Sequence, residues 1–142
     1  MPFRLQVPYR IYLQMLEQAV AELPNECCGL LAGTIQNGTG QVVLRYPLVN
    51  AAASPMEYLS QPESMFLAHR DMCRRCIEVI AVYHSHPASE PIPSRTDLAR
   101  NYSPDVVNLI ISMKAVEPSM RGWWLADSSF REAEWDVIDE HT

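Results

Sequence analysis

At 142 residues, with 48% hydrophobic and 20% charged residues, the chain has the size and apolar content of one globular domain over residues 1–142, which excludes wholesale disorder. Eleven Lys and Arg against 17 Asp and Glu leave a net charge of −6 without a basic block, which argues against nucleic acid as a partner. No apolar run reaches the roughly 20 residues of a membrane span, and Met1–Arg10 is broken by Arg4 and Pro8 where a signal peptide needs an apolar core, so the expectation is a soluble, cytoplasmic protein with no membrane partner.

Phe3, Leu5 and Val7 alternate with Arg4 and Gln6, the period of a half-buried strand. Pro8 then opens a helix whose core face is read as Tyr12, Leu16, Ala19 and Leu23, stopped by Pro24 and Asn25. Cys28–Gly33 reads as a short buried strand, Gln36–Gly40 as a turn, and Gln41–Leu48 as its hairpin partner. A loop over Asn50–Gln61 leads to a helix over Pro62–Arg75, with Met65, Ala68, Met72 and Cys76 on one side. Val79–Tyr83 is continuously apolar and β-branched, the mark of a central strand buried on both faces, and it runs into His84-Ser85-His86-Pro87. Pro87, Pro91 and Pro93 hold the following loop out of the sheet. Ser94–Tyr102 is then expected as a short helix, Val106–Met113 as a buried strand, and Trp123–Ala126 with Arg131–Val137 as a last hairpin. The order predicts a mixed α/β (α+β) domain, one central mixed β-sheet flanked by helices.

His84 and His86 stand two apart at the end of the predicted central strand, so both imidazoles leave the same face and converge on one point. Neutral imidazole is a good zinc ligand, but two ligands make a weak site, and a catalytic zinc needs a third with a fourth position left open. Asp97, in the first turn of the helix after the proline loop, is the candidate third ligand. A plainer reading stands beside this one. His-x-His pairs are commonly structural, and Ser94-Arg95-Thr96-Asp97 also fits a capping-box variant that needs no metal. The two readings are compatible, since one side chain can cap and serve a site.

The run His84-Ser-His86-Pro, seven residues Pro87–Pro93, then Ser94-x-x-Asp97 resembles the signature of the JAMM (MPN-plus) metalloprotease family, H-x-H-x7-S-x2-D. Upstream, Glu26-Cys27-Cys28-Gly29-Leu30-Leu31 is similar to that family's glutamate and following strand. Pro47-Leu48-Val49-Asn50 with Ser54-Pro55 and Tyr58 resembles its compact bacterial members. The resemblance covers roughly Leu5–Trp135. It implies a cytidine-deaminase-like JAMM fold in which His84, His86 and Asp97 hold Zn2+. It further implies that Glu26 is the general base for the attacking water, and that Ser94 hydrogen-bonds the developing oxyanion. Read without it, Glu26 is a solvated loop residue. The implied activity is that of a zinc metallopeptidase or isopeptidase cutting after the Gly-Gly tail of a ubiquitin-like or sulfur-carrier protein. The alternative is a non-catalytic JAMM-like scaffold. A homodimer stays open, and iron, cobalt and manganese accept the same ligand types.

Cys73-Arg-Arg-Cys76 has the wrong spacing from His84 to build a zinc finger, and a zinc deaminase would need His-x-Glu. Core packing is the expected role of Cys76, and all four cysteines read as reduced thiols. Arg70, Arg74 and Arg75 form a basic patch, either a solvated helix face or a docking surface for an acidic carrier. Trp123 and Trp124 point to opposite faces of one strand, which assigns one to the core and leaves the other to line an interface or groove.

Overall fold

The computed structural model describes residues 2–139; the outermost residues of the expected 1–142 domain lie outside that range. Among the described residues the elements run β1 (Arg4–Pro8), α1 (Tyr9–Ala21), β2 (Cys28–Gln36), β3 (Thr39–Leu48), α2 (Pro62–Arg75), β4 (Glu78–His86), α3 (Arg95–Ala99), β5 (Val107–Ser112), β6 (Ser119–Leu125), β7 (Phe130–Glu132) and β8 (Trp135–Ile138). The strands form one mixed sheet of eight in the order β7-β6-β5-β4-β2-β3-β1-β8. The mixed sheet with flanking helices is the predicted fold class.

The β2–β3 hairpin turns at Asn37-Gly38, with φ of 54° and 75°. Positive φ at both central residues is what a tight two-residue hairpin requires, and Asn-Gly adopts it at low cost. β4 lies between antiparallel β2 and parallel β5, which explains its unbroken apolar run: one face packs under α1 and the other under α2. On the α1 side, Leu31, Ala81, Tyr83, Leu109 and Ile111 join Ile11, Met15 and Ala19. On the α2 side, Cys28, Leu30 and Val82 meet Ala68 and Met72.

Several expectations are corrected. The face of α1 is Ile11, Met15 and Ala19, with Tyr12 and Leu16 only flanking it. Two overlapping i, i+4 ladders share Ala19, and β1 sets which one faces inward; Leu23 lies past the helix end and is exposed. α3 stops at Ala99 rather than Tyr102. Cys76 leaves the helical spiral in a left-handed conformation at φ 55°, so the stripe ends before it, and Cys73 and Cys76 are both exposed. Trp123 and Trp124 are both buried. Trp124 packs edge-on against Phe3, while Trp123 sits over Ile110 and donates to the Pro91 carbonyl at 2.9 Å. The far face of β6 is thus covered by the proline loop and α3, which strand alternation could not foresee.

The predicted final hairpin is also divided. β7 pairs antiparallel with β6, whereas β8 crosses to the opposite end of the sheet and lies parallel to β1. Ala133 N–H donates to Gly122 O (2.8 Å), and Leu5 N–H donates to Glu134 O (3.0 Å). The sheet therefore curls until its two ends are joined by the short link between β7 and β8.

One close approach fixes the centre. A Cβ on Gly29 would stand 2.3 Å from the Tyr83 ring on the neighbouring strand. That ring is fully buried, and its hydroxyl is held by Gln18 and by Arg45 (3.2 Å). Gly29→Ala is expected to cost about 1–3 kcal/mol, as overpacking of a filled core does. Urea denaturation measures it, and an unchanged midpoint would show that Tyr83 moves aside freely.

Candidate metal centre

His84 and His86 occupy the last positions of β4. His84 pairs with Cys28 of β2 and Ile110 of β5, and the His86 carbonyl accepts from Met113 N–H at 3.0 Å. Both backbones are held by the sheet, so the imidazoles start from fixed positions. Ser85, between them, faces the other way. Its hydroxyl accepts from Cys27 N–H (2.8 Å), and its own N–H donates to the Cys27 carbonyl (3.1 Å). That pair of bonds fastens the segment carrying Glu26 beside the histidines.

Asp97 returns to this point because the proline loop is pinned. Pro91 and Pro93 are buried, the Ser112 hydroxyl donates to Ser89 O (2.7 Å), and Trp123 holds Pro91. Leu98 then seats α3 against Ile110, Trp123 and Leu125. At the helix start Ser94 and Asp97 form the expected capping box: Asp97 N–H donates to Ser94 Oγ (3.1 Å) and Ser94 N–H to Asp97 Oδ2 (2.9 Å). The same carboxylate faces both histidines, with Oδ1 3.1 Å from His84 Nε2 and Oδ2 3.1 Å from His86 Nε2.

The two Nε2 atoms also lie 3.1 Å apart, and the three potential ligand groups lie within 4.8 Å of one another. His86 Nδ1 sits 2.7 Å from the Glu90 carbonyl, which can only accept. The ring proton therefore belongs on Nδ1, and the Nε2 lone pair points into the cluster. His84 stacks on Tyr58 at 4.7 Å. Burial lowers the His84 pKa and disfavours its imidazolium, even against Asp97. Burial also opposes charge on His86, but the bonds to Asp97 and Glu90 O and the charges of Asp97 and Glu26 raise its pKa overall. Although burial opposes ionisation of Asp97, its bonds to the histidines hold the carboxyl well below the ordinary carboxylate range.

Glu26 is buried at 3% exposure, contrary to its reading as a solvated loop residue. Burial pushes its carboxyl from the ordinary 4.5 up to about 8, with His86 pulling against this and Asp97 adding to it. Its Oε1 has no hydrogen-bond partner among the described residues, nor has His84 Nδ1. A buried carboxylate oxygen without a partner is costly, and neutral His86, with its proton on Nδ1, turns a lone pair toward the Asp97 carboxylate, which repels it. A cation among them removes that repulsion. Tetrahedral zinc, with bonds of about 2 Å, sets its ligand atoms about 3.3 Å apart, close to the spacings here. The donor set fits such an ion.

Asn50 and Tyr58 entered the sequence reading only through the resemblance to compact bacterial members and were given no role there. Asn50 is a buried hub that donates to the carbonyls of Glu26 (3.0 Å) and Glu57 (3.2 Å) and accepts from Ala52 and Leu59 N–H (3.0 Å each). It folds the loop over residues 50–61 across the site and brings Tyr58 to His84. Neither that resemblance nor an asparagine opening a loop says which carbonyls are taken. Cys73 and Cys76 are not part of the cluster. Of the basic patch, Arg75 is paired with Asp71 at 2.8 Å, while Arg70 and Arg74 lie exposed.

The sequence profile of the prokaryotic homologues of the JAB domain matches residues 8–126. The chain is 28% identical over 128 residues to the CysO-cysteine peptidase of Mycobacterium tuberculosis, covering 89% of this chain and 86% of that protein. It is 37% identical over 97 residues to the desampylase of Haloferax volcanii, 68% of each. The solution structure of a Desulfitobacterium hafniense protein superimposes with a TM-score of 0.87 at 29% identity, over 96% of this chain and 94% of that one.

Two outcomes are expected. Asp97→Asn should abolish most metal binding, read as metal per chain beside wild type and Cys73→Ser, which should match wild type; a loss of cap alone would cost only about 1 kcal/mol of stability. In chelator-stripped protein, a Glu26 pKa raised from 4.5 to about 8 means the folded state keeps a proton that the unfolded chain releases. Its contribution to stability therefore falls as pH rises through that window. Glu26→Gln should remove this slope in urea titrations at pH 5 and pH 8, and identical slopes would show a carboxyl ionised throughout.

Proposed function

The chain belongs to the family of prokaryotic homologues of the JAB domain, and we propose that it is a zinc-dependent peptidase or isopeptidase. Its substrate is a ubiquitin-like or sulfur-carrier protein, and it hydrolyses the amide bond that follows the carrier's C-terminal diglycine. The observation that carries this reading is the buried His84–His86–Asp97 cluster with the unpartnered carboxylate oxygen of Glu26 buried nearby. Relatives named for CysO-cysteine cleavage, for desampylation and, in Thermus thermophilus, for cleavage of TtuB–protein conjugates support the substrate class.

In this reading His84, His86 and Asp97 would hold zinc. When bound there, the ion would supply an acidified water and a polarised scissile carbonyl. Glu26 takes a proton from the attacking water as its oxygen bonds to the carbonyl carbon. It returns that proton to the departing nitrogen as the carbon–nitrogen bond breaks, leaving a carboxylate on the carrier and a free amine. Burial raises the Glu26 carboxyl and a cation beside it would draw it back down, a balance that suits a group that must both accept and donate near neutral pH. Ser94 accepts from Asp97 N–H, so its hydroxyl proton is free to be donated. It can face the carbonyl oxygen where negative charge develops. Diglycine presents no side chain between its backbone and the site, which permits a close approach.

Glu26→Gln, nearly isosteric, is expected to retain metal and lose about 100-fold or more in kcat, measured on a carrier extended beyond its diglycine. A variant with full metal and full rate would remove Glu26 from the reaction. A wild type that binds metal and carriers but cleaves none would leave a scaffold.

A further inference from the structure

A cavity of about 80 Å³ opens beside the cluster, between the sheet, α2 and the loop over residues 50–61. Its walls include Cys28, Leu30, Leu48, Met65 and Val82, with Tyr58 shared between the cavity and the His84 ring. Cys28 pairs with His84 in register and lies two residues beyond Glu26. Arg100 also lines the cavity. One of its nitrogens, Nη1, reaches the Tyr58 carbonyl at 3.3 Å and Glu57 at 3.8 Å, and the rest of its guanidinium donors are uncommitted by these contacts.

We propose that this cavity receives the side chain of the residue released from the diglycine carboxyl, and that Arg100 takes that residue's free carboxylate. The inference rests on the peptidase reading and narrows it. The two glycines on the acyl side of the scissile bond have no side chain with which to fill a cavity beside it. The residue on the other side can. Glu26 must reach the departing amine to protonate it, which puts the released residue on the Glu26–Cys28 side of the cluster. The lining is aliphatic and sulfur-bearing toward the sheet and α2, with Ser60, Tyr102 and Arg100 adding polar groups, so its apolar part suits an apolar or thiol side chain. Its volume sets the size: a cavity of roughly 150 Å³ holds a benzene ring, and about half of that admits alanine, cysteine or valine but not phenylalanine or tryptophan. A guanidinium at the same cavity matches the terminal carboxylate that a single released amino acid carries and an internal residue lacks.

The test uses carrier proteins ending in Gly-Gly-X, where X is Gly, Ala, Cys, Val, Phe, Trp or Asp, and the metal-loaded enzyme. The kcat/KM for Ala, Cys and Val is expected to exceed that for Phe, Trp and Asp by at least tenfold. Amidating the terminal carboxyl should cost wild type about tenfold and Arg100→Gln much less. Met65→Trp, which fills the cavity from the half-buried side of α2, should lower release of valine at least tenfold relative to glycine. A second arm needs no turnover: methyl-labelled methionine spectra are followed while free L-valine or L-aspartate is added. A Met65 shift with valine and none with aspartate supports the pocket even if no carrier is cleaved, in which case the peptidase reading falls alone. Cleavage indifferent to X, with Met65 silent, overturns the pocket and leaves the peptidase reading standing. Silence in both arms overturns both.

Discussion

The arrangement of the candidate centre depends on two hydrogen bonds between Ser85 and Cys27. They join the Cys28–His84 pairing and the Asn50 bond to the Glu26 carbonyl in fixing the chain before β2 to the end of β4, where Glu26 is buried instead of being the loop residue its sequence suggests. With them, a serine placed between two histidines directs its own side chain away from theirs, and the period of two that converges the imidazoles aims Ser85 at the neighbouring chain. One tripeptide therefore sets three positions: both imidazoles on one face, and the acid-bearing segment from the other.

Asp97 shows a similar economy. Its carboxylate closes a capping box, faces two imidazoles and stays ionised because those partners outweigh its burial. The capping and ligand readings of Ser94-x-x-Asp97 are thus two descriptions of one geometry. A carboxylate already held by its own helix loses little freedom when it meets a cation, so the cluster is organised ahead of binding.

Legibility followed locality. Asn37-Gly38, the span of α2 and the apolar run of β4 were readable because each depends on neighbours within a few residues. The gathering of His84, His86 and Asp97 was readable because strand period and cap position are also local. What failed was long-range. The parallel seat of β8 on β1 joins residues more than a hundred positions apart, and nothing in Trp135–Ile138 announces it. Trp123 alternates correctly with Trp124, but alternation does not tell that α3 and the proline loop cover the second face. Asn50 and Tyr58 lie in a loop whose composition gives no periodicity, and their importance arises from carbonyls and a ring they meet far along the chain.

The link between β7 and β8 has a further consequence. Strands at the two ends of the sheet order are adjacent in sequence, so the polypeptide itself acts as a clasp that draws the margins together. A sheet margin left open is a template onto which other chains can stack, and curling is one way of withholding it. Here β7 is three residues long and ends where the clasp begins, so it offers little backbone for a stranger to join. The β7 flank is thus a poor seat for an extended carrier tail, whereas the strand ends near β4 lie beside the candidate centre. The closure that withholds a sheet margin thereby leaves the end of β4, with His84 and His86, as the accessible approach to the candidate centre.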